Sequence, residues 1–143
     1  MKFENEMVLR FPSLSCNEAF ARASAASFAA QLDPTLDEMN DIKTAVSEAV
    51  TNCIVHAYPD GYGIITLRCR MLKDNVLDIV IKDKGIGIAD LEVAKRPTFT
   101  TGGSDRSGMG FTIMESFMTT FEVASQPGKG TTVHMRRRIK QRQ

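Results

Sequence analysis

Apolar and polar positions alternate along this chain with two different periods, and the changes of period predict its elements. Near the start, Met7, Leu9 and Phe11 fall on one side of an alternating segment, as in a half-buried strand. The predicted strands are residues 3–11, 63–72, 76–82, 121–125 and 131–138. Segments with helical spacing lie between these strands. We predict a single domain over residues 1–143. The expected fold is a two-layer α/β (α+β) sandwich with a mixed, mostly antiparallel sheet and helices on one face.

Capping patterns predict where the helices begin. Residues 15–18 (Ser-Cys-Asn-Glu) and residues 35–38 (Thr-Leu-Asp-Glu) both have the spacing of a capping box. The first opens an Ala-rich helix, and the second opens a longer helix. Further on, the pattern indicates a short helix near residues 90–95 and a mobile loop over residues 98–110, which are rich in Gly, Ser and Thr.

The longer helix carries a polar ridge. Glu48, Asn52 and His56 are four residues apart and project from one side of a helix, while the opposite side has the spacing of a buried apolar stripe. A carboxylate beside an amide oxygen provides a base and a hard ligand for magnesium, as metal-assisted phosphoryl transfer requires. Taken alone, such a ridge is more often the solvated face of an amphipathic helix.

Two glycine motifs add to this picture. Asp83 ends an apolar strand just before Gly85 and Gly87, where a carboxylate could accept a hydrogen bond from an exocyclic amine. The same motif also marks ordinary turns. The second motif, residues 107–111 (Ser-Gly-Met-Gly-Phe), precedes a predicted helix whose first N–H groups would bind phosphates. Neither motif has the context of a Rossmann or Walker A loop.

The composition indicates the class of protein and its cellular compartment, but not its chemistry. The chain is 43% apolar with a net charge of +1, which is ordinary for a globular domain and indicates no particular partner. Its three cysteines have no metal-binding spacing and favour reduced thiols in a cytoplasmic protein. No apolar run is long enough to span a membrane. The basic residues 136–142 favour a solvated strand end over direct nucleic-acid binding, because no aromatic residues interleave with them.

The motifs together resemble those of a known superfamily. Glu48-x-x-x-Asn52, Asp83-x-Gly85-x-Gly87 and the Gly108-x-Gly110 segment are similar, in order and spacing, to the conserved boxes of the GHKL ATPases, which have the Bergerat ATP-binding fold. Residues 17–22, 47–52, 99–101 and 106–115 further resemble the anti-sigma factors of sporulating bacteria that are also serine kinases.

This resemblance implies a role for each matching residue. Glu48 would be the general base, Arg106 would reach the terminal phosphates, and Asn52 would hold Mg²⁺. Asp83 would bind the adenine amine of ATP or ADP. The other implied nucleotide contacts are His56, Gly85, Gly87, Thr100, Thr101, Ser107, Gly108, Met109, Gly110, Phe111 and Thr132. Thr100 and Thr101 would belong to an ATP lid, whose segment from Gly102 to Asp105 departs from the family's more charged pattern.

The resemblance also implies partners. The protein would sequester a sporulation sigma factor and phosphorylate a serine of the anti-anti-sigma factor that displaces it. Arg22, in the first helix, would lie on the surface that grips these partners. A homodimer is expected, with the first strand and first helix as its contact.

Two alternatives stay open. One is a nucleotide-gated protein-binding module without kinase activity. The other is a histidine-kinase-like ATPase fragment. Glu48 disfavours the fragment, because imidazole is already nucleophilic near neutral pH whereas a serine hydroxyl needs a base. Neither His56 nor His134 lies in a predicted dimerisation helix.

Overall fold

A computed structural model describes residues 2–88 and 110–140. Its strands are β1 (Asn5–Pro12), β2 (Ile64–Leu72), β3 (Val76–Asp83), β4 (Thr120–Gln126) and β5 (Gly130–Arg138). Its α-helices are α1 (Asn17–Ala29), α2 (Leu36–Asn52) and α3 (Gly110–Phe117). A 3₁₀ turn (Ala30–Leu32) follows α1, and a π-helical turn (Cys53–Ala57) follows α2. The predicted helix near residues 90–95 lies outside the described residues.

The five strands form one open sheet in the order β1-β2-β3-β5-β4. The predicted sandwich and its strands are therefore confirmed. The prediction also allowed a mixed sheet, but each of the four described pairings is antiparallel. β5 lies inside the sheet between β3 and β4, although it is the last of these strands in the chain.

The register separates the sheet into two faces. Leu9, Leu67, Ile81, Val133 and Val123 form one row across all five strands. This inner face packs against the helices, and its rows belong to the same core as Ile42, Val46 and Val50 of α2. The apolar stripe predicted for the long helix is thus the stripe that the sheet buries.

The outer face is polar and centres on Asp78. Its side chain is buried, and it receives Arg68 of β2 at 3.6 Å together with His134 at 2.5 Å and Arg136 at 2.7 Å from β5. Burial alone would raise the pKa of Asp78, but the hydrogen bonds from His134 and Arg136 outweigh it and lower that pKa. Three strands are thereby joined through one carboxylate.

Only the second predicted capping box is formed. The hydroxyl of Thr35 accepts from the Glu38 N–H at 3.1 Å, and the Glu38 carboxylate accepts from the Thr35 N–H at 2.9 Å. The predicted box at residues 15–18 was wrong: Cys16 is the N-cap of α1, and no side chain caps it. Its backbone is already helical, whereas a capping residue needs an extended backbone, such as that of Thr35.

The start of α2 is also tied to the far end of the chain. The second carboxylate oxygen of Glu38 accepts from the Lys140 N–H at 2.9 Å. Burial opposes ionisation of Glu38, but the hydrogen bonds from Lys140 and Thr35 hold its pKa below the usual value. Within residues 2–88 and 110–140, no helix has the length and apolar character needed to cross a membrane.

Candidate functional site

Asp83 ends β3 on the inner face, in the row that contains Ile65, Thr131 and Ser125. Its carboxylate is buried. The oxygen Oδ1 accepts from the Gly85 N–H at 2.9 Å and from the Thr131 N–H at 3.2 Å. No cation forms an ion pair with Asp83 among the described side chains. The charge of this carboxylate is therefore supported by main-chain dipoles.

The glycines after Asp83 let backbones approach one another. A Cβ at Gly85 would overlap the main chain of Ala57, and the Ile86 N–H donates to the Ala57 carbonyl at 2.8 Å. Gly87 has φ +76°, and a Cβ there would overlap the main chain of Gln126. From the family resemblance, these glycines were expected to make room for the base of the nucleotide. The structure shows a different immediate need, which is to hold the Asp83 turn against its neighbours.

Those neighbours include the π turn at the end of α2, which carries Cys53 and His56. Cys53 is buried, and burial raises the pKa of its thiol well above the usual value, helped by the nearby charge of Asp83. His56 is half-buried on the same turn. The turn was not predicted, because helical periodicity alone does not distinguish an i→i+5 turn from an α-helix. It widens the helix next to Asp83, and such π-turns are frequent at functional sites.

Glu48 and Asn52 meet the first residue of α3. A Cβ built on Gly110 would lie 3.0 Å from Nδ2 of Asn52 and 3.2 Å from Oε2 of Glu48. Any side chain at Gly110 would therefore press on both groups. The structure thus brings together the polar ridge and the end of the second glycine motif, which are more than fifty residues apart in the sequence.

Phe111 follows Gly110 but turns into the core. It is 7% exposed, and its ring lies 6.0 Å from that of Phe121. Its predicted nucleotide contact could therefore be made only by its main-chain N–H, in the first turn of α3.

Thr132 needs a correction. It pairs with Lys82, whereas Thr131 pairs with Asp83. Because side chains alternate along a strand, Thr132 projects from the outer face, away from Asp83. Thr131 is the threonine that shares a face with the carboxylate, and its N–H donates to it. The structure therefore brings Thr131, and not the predicted Thr132, to the face that carries Asp83.

Six predicted site residues lie outside the described part of the chain: Thr100, Thr101, Arg106, Ser107, Gly108 and Met109. Arg22 lies on α1, apart from the site, with its Nε 3.7 Å from the Glu18 carboxylate. Phe20 of the same helix is 54% exposed.

The side chains of Asn52 and Glu48 suit a magnesium ion that binds together with a nucleotide. In the described segments, no group of three or more His, Cys, Asp or Glu side chains could hold a metal ion. Magnesium typically takes only one or two protein oxygens and completes its shell with phosphate oxygens and water. The amide of Asn52, beside the carboxylate of Glu48, fits that requirement.

Comparison with known proteins identifies the family of this domain. Residues 11–137 match the family described as the histidine kinase-like ATPase domain. The fold and the site therefore define a nucleotide-binding, kinase-like ATPase domain.

More specific relatives cover nearly the whole chain. It is 56% identical to the anti-sigma F factor of Caldanaerobacter subterraneus subsp. tengcongensis, over 97% of each chain. It is 50% identical to the anti-sigma F factor of Clostridium acetobutylicum, over 95% of each. The chain belongs to the anti-sigma F factor family.

Solved structures support the fold. The RsbU and RsbW domains of a Mycobacterium tuberculosis protein match 95% of this chain with a TM-score of 0.70 at 17% identity, and the match spans 33% of that longer chain. The histidine kinase domain of a blue-light activated kinase from Erythrobacter litoralis matches 85% of this chain and 60% of its own, with a TM-score of 0.59 at 20% identity.

Proposed function

We propose that this protein is an ATP-dependent serine kinase and anti-sigma factor. It binds Mg-ATP, holds a sporulation sigma factor inactive, and phosphorylates a serine of the anti-anti-sigma factor. The observation that carries the proposal is the close approach of Glu48 and Asn52 to Gly110, where both side chains border the space that a Cβ would occupy. It supports a base and a magnesium ligand near the start of α3, because the start of a helix favours phosphate binding.

Asp83 would recognise the purine. Its Oδ1 takes two main-chain N–H groups, which orient the carboxylate. We assign the other oxygen, Oδ2, to the exocyclic amine of adenine. Thr131 replaces Thr132 as the threonine beside the base, because it shares a face and a hydrogen bond with Asp83.

Asn52 would hold the metal, and the first turn of α3 the phosphates. A bound magnesium would neutralise charge on the phosphate oxygens and help to orient them. In this proposal the N–H groups of Gly110 and Phe111, the first two described residues of α3, donate to a phosphate. In this proposal Ser107, Gly108 and Met109 extend the phosphate contacts, and Arg106 reaches the terminal phosphate.

The reaction is transfer of the γ-phosphoryl group. The acceptor serine oxygen forms a bond to the γ-phosphorus, the bond to the leaving oxygen of ADP breaks, and Glu48 takes the serine proton. A serine hydroxyl stays protonated near neutral pH, so a positioned carboxylate lowers the barrier. Glu48 is half-buried, so its carboxylate stays accessible to an incoming side chain.

The partner-binding surface would lie on α1. Arg22 and the exposed ring of Phe20 present a charge and an apolar contact on the same helix. A second copy could approach at β1, because β1 is an edge strand of the sheet. Arg22→Glu should weaken capture of the sigma factor at least tenfold, by the roughly 1.4 kcal/mol that a lost interface charge contact costs. Unchanged capture in a pull-down titration would remove Arg22 from this surface.

The chemistry is tested by Glu48→Gln, which keeps the size and hydrogen-bonding reach but cannot accept the proton. Phosphorylation of the anti-anti-sigma factor should slow by roughly 10²- to 10⁴-fold. ATP binding and sigma-factor capture should persist. Single-turnover assays with phosphoprotein mass spectrometry measure the rate, and Glu122→Gln on the exposed outer face is the matched control.

Two results would contradict the assignment. A wild-type rate in Glu48→Gln would show that Glu48 is not the base. Wild-type protein that binds Mg-ATP and captures the sigma factor, yet transfers no phosphate, would favour the nucleotide-gated binding module instead.

A further inference from the structure

Ser125 of β4 makes three hydrogen bonds beside the Asp83 carboxylate. Its hydroxyl lies 2.8 Å from the Ile88 N–H, 3.0 Å from the Gly130 carbonyl and 2.8 Å from the Thr131 hydroxyl. Ser125 pairs with Thr131 in the same row of the inner face as Asp83. None of the motifs that define the site includes this serine.

The three partners determine where the protons lie. A serine hydroxyl has one proton to donate and two lone pairs to accept with. The Gly130 carbonyl can only accept, so it takes the Ser125 proton. The Ile88 N–H can only donate, so it occupies one lone pair. The remaining contact is then made with the proton of the Thr131 hydroxyl.

This arrangement leaves Thr131 Oγ1 with lone pairs only. The nearby carboxylate of Asp83 is also an acceptor. Adenine carries an amine at the purine 6-position and offers protons there. Guanine and hypoxanthine carry a carbonyl oxygen, which would face two acceptors. A freely rotating threonine hydroxyl could instead turn and donate to that oxygen.

We propose that Ser125 is a positioning residue for purine selection: it holds the Thr131 hydroxyl as an acceptor and so excludes 6-oxo purines. This inference rests on the proposed binding of ATP at Asp83. It adds a residue on β4 that acts through Thr131, without itself touching the base.

The test compares ATP with inosine triphosphate, which differs from ATP by a carbonyl oxygen at the 6-position and a proton on N1. Dissociation constants for both nucleotides are measured by titration calorimetry on the full chain with magnesium. Ser125→Ala should lower the preference for ATP over inosine triphosphate about 5- to 10-fold, since a freed Thr131 hydroxyl can pair with the oxygen. Ser125→Thr keeps the hydroxyl and should keep the preference.

A merely structural role predicts a different result. If Ser125 only held β4 and Ile88 in place, Ser125→Ala would weaken both nucleotides equally and leave their ratio unchanged. That outcome would overturn the inference. Should the alanine variant fail to fold, Ser125→Cys removes most of the hydrogen-bonding strength at similar size and gives the same readout.

Thr131→Val supplies the coupling control. Without the threonine hydroxyl, Ser125→Ala should change the nucleotide ratio less than twofold, because the two residues act as a unit. An undiminished effect of Ser125→Ala in that background would overturn the inference. If the wild-type protein itself bound both nucleotides equally, the proposed purine site at Asp83 would fail, which is a separate result from a failure of Ser125.

Discussion

Asp78 and Asp83 are buried carboxylates on the same strand, but different kinds of hydrogen-bond donor surround them. Asp78 faces outward and is neutralised by Arg68, His134 and Arg136. Asp83 faces inward, where the Gly85 and Thr131 N–H groups donate to its carboxylate and the Cys53 thiol lies beside it. A carboxylate matched by cations joins strands together. A carboxylate held mainly by backbone N–H groups at the rim of the core has no cation paired with it among the described residues, and in the proposed site it recognises the ligand.

Removing the charge of Asp83 should have the largest effect and tests directly whether this carboxylate binds the nucleotide. Asp83→Asn keeps the shape and the Oδ1 acceptor but can turn a donor toward the adenine amine. ATP affinity should fall about 100-fold, the value expected for losing a charged hydrogen bond and leaving a donor unpaired. Equilibrium binding of a fluorescent ATP analogue measures it. Unfolding midpoints close to wild type would show that the loss is local, and wild-type affinity would exclude Asp83 from the site.

The matching substitution on the outer face should lower the stability of the protein and leave its ATP affinity nearly unchanged. Asp78→Asn leaves Arg68, His134 and Arg136 clustered without their carboxylate. The free energy of unfolding should fall by about 2 kcal/mol, less than for a fully buried pair because the three partners are about one-third exposed. Urea denaturation measures this loss. ATP affinity should change less than twofold, and a large loss of affinity would mean that the two faces are coupled.

Low pH should reduce the stabilisation from Asp78 by less than the Asp78→Asn substitution does. Its pKa is lower in the folded protein than the ordinary value of 3.8, because hydrogen bonds from His134 and Arg136 outweigh burial. The unfolded state therefore binds this proton more readily. The stabilisation is complete above pH 3.8 and is lost as the pH falls through the lower folded pKa.

Urea titrations between pH 6 and pH 2.5 should show this loss in the wild type and a smaller one in Asp78→Asn. Equal slopes in the two proteins would show that other carboxylates account for the acid sensitivity.

The sequence predicted the strands well because their burial is one-sided. Alternation places Leu67 and Ile81 on the inner face, and the chain has little freedom to shift them. The sequence pattern does not show which of two adjacent polar residues faces the core. Thr131 and Thr132 are chemically alike, and only the pairing of β5 with β3 shows which of them faces Asp83.

Other features depended on local geometry that composition does not reveal. The pattern at residues 15–18 fits a capping box with Ser15 as the N-cap, but α1 begins one residue later, so Cys16 takes that position. The π turn over Cys53–Ala57 has no distinctive residue, and the hydroxyl network of Ser125 joins three separate segments. The ridge of Glu48 and Asn52 was predictable from spacing alone, whereas its contact with Gly110 required the fold.

The position of β5 has a consequence for how this protein is made. Among the described strands β5 leaves the ribosome last, yet it fills the gap between β3 and β4, and the next residues cap α2 through Lys140 and Glu38. Until residue 140 has emerged, the growing chain exposes the unpaired edge of β3 beside an unfinished core. Folding must therefore wait for nearly all of the described chain, and the nascent polypeptide is open to aggregation and to chaperones during that interval.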